Sequence, residues 1–126
     1  MKVKILLCIS FLFAGVGISE LDVSDDIVAA LKAGKASELV KYFDEKVALK
    51  IINQEDVLSK AQAEANLRNF FSKYPVKAFS SSHVSSMNKQ AQYITGTLET
   101  GNGKFRISIL IRFNLVSQFR IEQEDE

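Results

Sequence analysis

Any chemistry in this chain would have to start from His83, the single histidine among 126 residues. Imidazole titrates near neutral pH, so His83 could move a proton or anchor a ligand. It follows Ser80, Ser81 and Ser82, and counting by twos from Phe79 places it on one strand face with Ser81. Tyr42 and Tyr74, which each close a helical segment, and Gln92, at the far end of an apolar stripe, are the polar groups that could line a pocket with it. The plainer alternative stays open: an exposed strand histidine, two core-edge aromatics with wet tips, and a frayed strand end.

Other chemistries lack their residues. Ser80 to His83 are adjacent in a strand, which is the wrong geometry for a Ser/His/Asp triad, and no GxSxG elbow is present. "TGNGK" superficially suggests a phosphate loop but is a hairpin tip with no helix after it. The one cysteine, Cys8, sits near the N-terminus, so the rest of the chain offers no zinc ligand set, and no acidic loop has calcium spacing. Neither a metal nor a cofactor is expected.

The first residues read as a leader. Met1 to Lys4 form a short basic head, and Ile5 to Ile18 are apolar apart from one serine and two glycines. Fourteen residues at ~1.5 Å each fall short of a ~30 Å hydrocarbon layer, and the run ends in small residues rather than a basic stop. We therefore expect a signal peptide at 1–19, cleavage near Ser19, a secreted or periplasmic product and no stable membrane insertion afterwards. Leu7 before Cys8, with most of the apolar run still to come, argues against lipidation. The mature chain has no cysteine, so burial must hold it without disulfides. Loss of Lys2 and Lys4 leaves one more acidic than basic side chain, with the signs interspersed, which argues against a nucleic-acid surface.

Positions 20–123 are long enough for one domain, with 124–126 as an acidic tail. Ser24 before "DDIVAALKAG" is an N-cap candidate, Asp25 and Asp26 suit the positive end of a helix dipole, and Gly34 supplies the stop. "ASELVKYF" repeats the helical logic, "VALKII" at 47–52 reads as a short strand, and "NQED" as its turn. In "SKAQAEANLRNFFSKYP", Ser59 and Gln62 make a capping box; Ala63, Leu67, Phe70, Phe71 and Tyr74 form one face, and Pro75 ends the helix. From Val76 the period becomes two, which predicts strands near 77–85, 90–100, 104–113 and 115–123.

An Asn102-Gly103 turn would set Leu98 opposite Ile107 and Ile94 opposite Ile111; a turn at Gly101-Asn102 would shift the pairs by two and preserve the faces. Either way Ile94, Leu98, Phe105, Ile107, Ile109 and Ile111 share one face. Tyr93, Arg106, Leu110 and Arg112 share the other. Gly96 among large neighbours marks a bend or a close backbone approach. For the last strand, a three-residue connection over Asn114 to Val116 pairs Ile111 with Phe119 and keeps the apolar face continuous.

Helix pair, strand, long helix and curved meander together resemble the nuclear transport factor 2-like superfamily, a cystatin-like α+β cone. Within it, "GKASELVKYFDEKVALKI", "SKAQAEANLRNFFSKYP", "YITGTLETGNGKFRISILI" and "FRIE" resemble an uncharacterised family of small secreted bacterial proteins. The resemblance implies N-terminal helices on the concave face of a curved antiparallel sheet. It chooses no activity, because the superfamily hosts enzymes, carriers and interaction modules.

Enzymes of this superfamily need a base and an oxyanion donor inside the cone. No aspartate falls on the predicted inner face. The expectation is thus a non-enzymatic binding or interaction module, with an unknown protein or a small apolar ligand as partner and His83, Gln92, Tyr42 and Tyr74 as the pocket. The alternative is a small lyase or isomerase using His83. Tyr93, Arg106, Leu110 and Arg112 offer a contact surface through which a homodimer could form, or simply a solvated sheet face.

Overall fold

The computed structural model describes residues 23–88 and 90–124. The leader at 1–19, Cys8 within it, and Asp125 and Glu126 of the tail lie outside the described residues.

Helix α1 (Val23–Ala33) has Asp25 and Asp26 in its first turn and Lys32 in its last, charges that complement the helix dipole. It buries Ile27, Ala30 and Leu31. Ser24 is not its cap: the helix already includes Val23, so Ser24 sits buried within the first turn. Gly34 closes the end, its N–H donating to the Leu31 carbonyl while Lys35 donates to that of Ala30.

The second helical segment is shorter than its sequence pattern suggests. Helix α2 (Ala36–Leu39) tightens into a 3-10 turn at Val40–Tyr42, and Phe43 already belongs to β1 (Phe43–Ile51). Strand β2 (Gln54–Ser59) occupies residues that read as a turn. Its polar "QEDVLS" lacks the apolar alternation of a core strand, and pairing with β1 along the sheet edge overrides that composition. The connection shrinks to Ile52 and Asn53, with Ile52 at φ 59°.

Helix α3 (Lys60–Lys73) carries the expected capping box: Gln62 N–H donates to Ser59 Oγ at 3.2 Å, and Ser59 N–H donates to Gln62 Oε1 at 3.0 Å. It buries Ala63, Leu67, Phe70 and Phe71. Four strands follow: β3 (Val76–Asn88), β4 (Ala91–Thr100), β5 (Gly103–Arg112) and β6 (Leu115–Gln123). The sheet order is β2-β1-β6-β5-β4-β3, antiparallel except where β1 runs parallel to β6. The molecule is an α+β fold with its helices against one face of a curved, unclosed sheet.

Registers decide the faces. In the β4–β5 hairpin Gly101 and Asn102 form the turn, so Leu98 pairs with Phe105 and Ile94 with Ile109. This is the shifted alternative, and positive φ falls on Gly103 (127°) rather than on Asn102. The six predicted inner residues are all buried.

The β5–β6 connection departs from the three-residue expectation. It is a two-residue turn in which Phe113 (φ 51°) and Asn114 (φ 65°) both take positive φ, the geometry that suits a right-twisted hairpin. Ile111 therefore pairs with Val116 and Ile109 with Phe119. A register shift after Leu110 inserts one extra residue on β6 and returns Val116, Phe119 and Ile121 to the core.

Gly96 is a close approach. A Cβ there would lie 2.6 Å from the Phe79 ring and 2.5 Å from the Ser80 carbonyl oxygen. The cone interior is filled by side chains: Ile94, Leu98, Ile107, Ile109, Phe119 and Ile121 each have 0% exposure.

Candidate functional site

Two elements that pack side by side carry polar residues on matching flanks. On α3, Asn66, Asn69 and Lys73 recur at one-turn spacing beside the buried Leu67 and Phe70. On β2, pairing sets Gln54 opposite Ile51, Asp56 opposite Leu49 and Leu58 opposite Val47, so these three side chains point to the helix-bearing face. Between them lies a cleft of about 240 Å³. Its floor is Leu49, Ile51, Leu58 and Phe70, and its walls carry Gln54, Asp56, Asn66, Asn69, Lys73 and Tyr74.

Aromatic packing and backbone bonds hold the wall that ends α3. Tyr74 stacks on Phe70 with centroids 4.8 Å apart and meets Phe105 edge-on at 4.9 Å. Asn102 Nδ2 donates to the Lys73 carbonyl at 2.8 Å, and Gly101 N–H to the Pro75 carbonyl at 2.9 Å. The hairpin tip thus satisfies the end of the helix and ties it to the sheet.

A shallower recess opens at Lys50, Ile52, Asn53, Arg106, Glu122 and Gln123. Its charges are largely occupied by one another. Glu122 accepts from Lys50 Nζ at 2.9 Å and from Arg120 at 3.2 Å, and Arg120 also reaches Glu55 at 3.2 Å. The Lys50 hydrogen bond, assisted by Arg120, holds the Glu122 carboxyl below its ordinary range. By contrast, no ion pair engages Asp56 or Lys73 among the described residues.

Of the four residues expected to form a pocket, the structure places one, Tyr74, at this cleft. Tyr42 is half-buried against the core at the end of its 3-10 turn. Gln92 pairs with Ile111, on the inner face but at its far end. His83 is a correction: a bulge between Ser81 and His83 moves it into register with Thr95, away from the face of Phe79 and Ile94. It is exposed on the edge strand, outside the cone.

The surface expected for contacts does share one face. Tyr93 pairs directly with Leu110, both half-buried, and Arg106 and Arg112 are exposed beside them. Gln54, Asp56, Asn66, Asn69 and Lys73 escaped the sequence reading. The legible signal was the Asn66, Asn69, Lys73 spacing along the flank of the Phe70 stripe; the β2 residues became visible only once that segment was a strand.

Chemically the cleft offers both charge and hydrogen bonding. Three carboxamides both donate and accept, one carboxylate and one ammonium carry charge, and a phenol and an apolar floor complete the lining. Among the described residues no three His, Cys, Asp or Glu side chains gather as a metal site.

Residues 24–123 match a family described as a domain of unknown function, DUF4783. The chain is similar to the crystal structure of a DUF4783 family protein from Bacteroides uniformis ATCC 8492, at 33% identity and TM-score 0.79, over 83% of this chain and 100% of that one. A cystatin-like domain of unknown function from Nostoc punctiforme PCC 73102 shares the fold at 9% identity and TM-score 0.65, over 82% of this chain and 74% of that one. So does an NTF2 design, at 11% identity and TM-score 0.60, over 77% of this chain and 90% of that one. No curated protein matches.

Proposed function

We propose for this chain, which belongs to the DUF4783 family of domains of unknown function, a role read from its own geometry: a non-enzymatic extracytoplasmic binding module whose ligand site is the cleft between α3 and the β1–β2 hairpin. The observation that carries this reading is where space remains. The cone is packed with buried isoleucine, leucine and phenylalanine, while the cleft combines an apolar floor with convergent carboxamides, the usual composition of a recognition site.

The rim supports it. Ile52, a β-branched residue at φ 59°, lines the cleft in a conformation costing on the order of 1–2 kcal/mol. Such strain is retained where surrounding structure needs that shape. Asp56 is the one carboxylate of the lining, set among carboxamides that can donate to a ligand or accept from it.

Ligand screening by amide chemical-shift mapping tests the proposal. Small amphipathic binders should move the amides of Gln54 to Leu58 and Asn66 to Tyr74 and lose affinity in Asn69→Trp, which fills the cleft. Hits that map to the Tyr93 and Leu110 face, or that bind Asn69→Trp unchanged, would refute it. The extracytoplasmic part is separate: mass spectrometry of the protein from its host should find an N-terminus near Ser19, and a retained Met1 would overturn it.

A further inference from the structure

We infer that the cleft is built for a small zwitterion with an apolar side chain, a dipeptide or a free amino acid, an inference that rests on the cleft being the ligand site. The geometry of charge points there. Asp56 enters from β2 and Lys73 from α3, so opposite charges line one cleft from two different elements. Neither is neutralised by an ion pair among the described residues. Their neighbours behave differently: Glu55, one residue before Asp56, points to the other face and pairs with Arg120, and Lys50 pairs with Glu122.

A ligand with an ammonium for Asp56 and a carboxylate for Lys73 forms two charge-assisted contacts as it sheds water. A singly charged ligand leaves the other wall charge partly desolvated and unpaired, which is unfavourable. Gln54, Asn66 and Asn69 can both donate to a peptide carbonyl and accept from a peptide N–H. Leu49, Ile51 and Phe70 form the floor that takes an apolar side chain. The size agrees: about 240 Å³ lies below the ~300–1,000 Å³ of typical drug-sized sites, which leaves room for one or two residues rather than an extended peptide.

Isothermal titration of the mature chain tests this with four probes: L-alanyl-L-phenylalanine, its N-acetyl form, its C-terminal amide, and the form blocked at both ends. The free dipeptide should bind tightest, and each block should weaken binding by about tenfold or more, as expected for losing a hydrogen bond to a charged group. Asp56→Asn should erase the penalty for N-acetylation while keeping that for amidation, and Lys73→Gln should do the reverse. Both positions are exposed, so thermal melts should match wild type and report intact folding. If the doubly blocked probe binds as well as the free one, the zwitterion inference fails and the cleft reading stands. If the free dipeptide binds but neither substitution alters the pattern, the ligand sits elsewhere and both fail. Absence of binding by all four probes overturns the inference.

Discussion

Asp56 and Lys73 line the same cleft from a strand and from the far end of the helix that follows it, and among the described residues no ion pair neutralises either one. The alternation of β2 produces this split. Glu55 turns outward to Arg120, while Asp56 turns inward over Leu49. One residue of register separates a solvated ion pair from a charge available to a ligand.

The core faces can be tested by truncation. Ile109→Ala, at a position with 0% exposure, should cost about 2–5 kcal/mol through lost burial and a residual cavity. Phe70→Ala should cost a similar ~2–5 kcal/mol and also remove the ring on which Tyr74 stacks. Urea denaturation midpoints check both, and a wild-type midpoint in either variant would contradict the packing described.

Gly96 should tolerate no side chain. Gly96→Val places carbon where the Phe79 ring and the Ser80 carbonyl lie within 2.6 Å, so a loss of about 1–3 kcal/mol is expected. Phe79→Ala is destabilising alone but should make the Gly96→Val penalty smaller. A double-mutant cycle with zero coupling would show that the ring is not the obstacle.

The β5–β6 turn holds stability in reserve. Phe113 is 71% exposed and sits at φ 51°, followed by Asn114 at φ 65°. Replacing the pair by Asn-Gly, the residues this turn prefers, should stabilise by roughly 0.5–1 kcal/mol and raise Tm by several degrees. An unchanged or lower Tm would mean that Phe113 contributes contacts beyond its exposed ring.

Acid should weaken the Lys50, Glu122 and Arg120 cluster in a defined direction. The Glu122 carboxyl is depressed below its ordinary value of 4.5 by Lys50 first and then Arg120. Its stabilisation is therefore fully present above about pH 4.5 and is lost as pH falls through the folded value. Wild type should exceed Glu122→Gln in stability at neutral pH, with the gap closing on acidification. Parallel pH profiles for the two proteins would contradict the assignment.

The long-range plan was legible because it rests on periodicity. The Ser59 and Gln62 box, the Phe70 face, Pro75 and the isoleucine stripe of β5 each state their own structure, and the stripe survived a shift of register by two. What stayed hidden depends on neighbours. Strand β2 exists through its partner β1, and the polarity of "QEDVLS" conceals it. A bulge beyond Ser81 reverses the face of His83, and one on β6 restores the face of Phe119; neither insertion leaves a mark in local composition. The cleft was therefore visible only by halves, as the Asn66, Asn69 and Lys73 spacing without its facing wall.

The most direct measurement is a crystal structure of the mature chain with L-alanyl-L-phenylalanine. The dipeptide should lie between α3 and β2, its ammonium on Asp56, its carboxylate on Lys73 and its ring over Phe70. Density for the dipeptide on the Tyr93 and Leu110 face, or in the reverse orientation with both charges pointing to solvent, would contradict it.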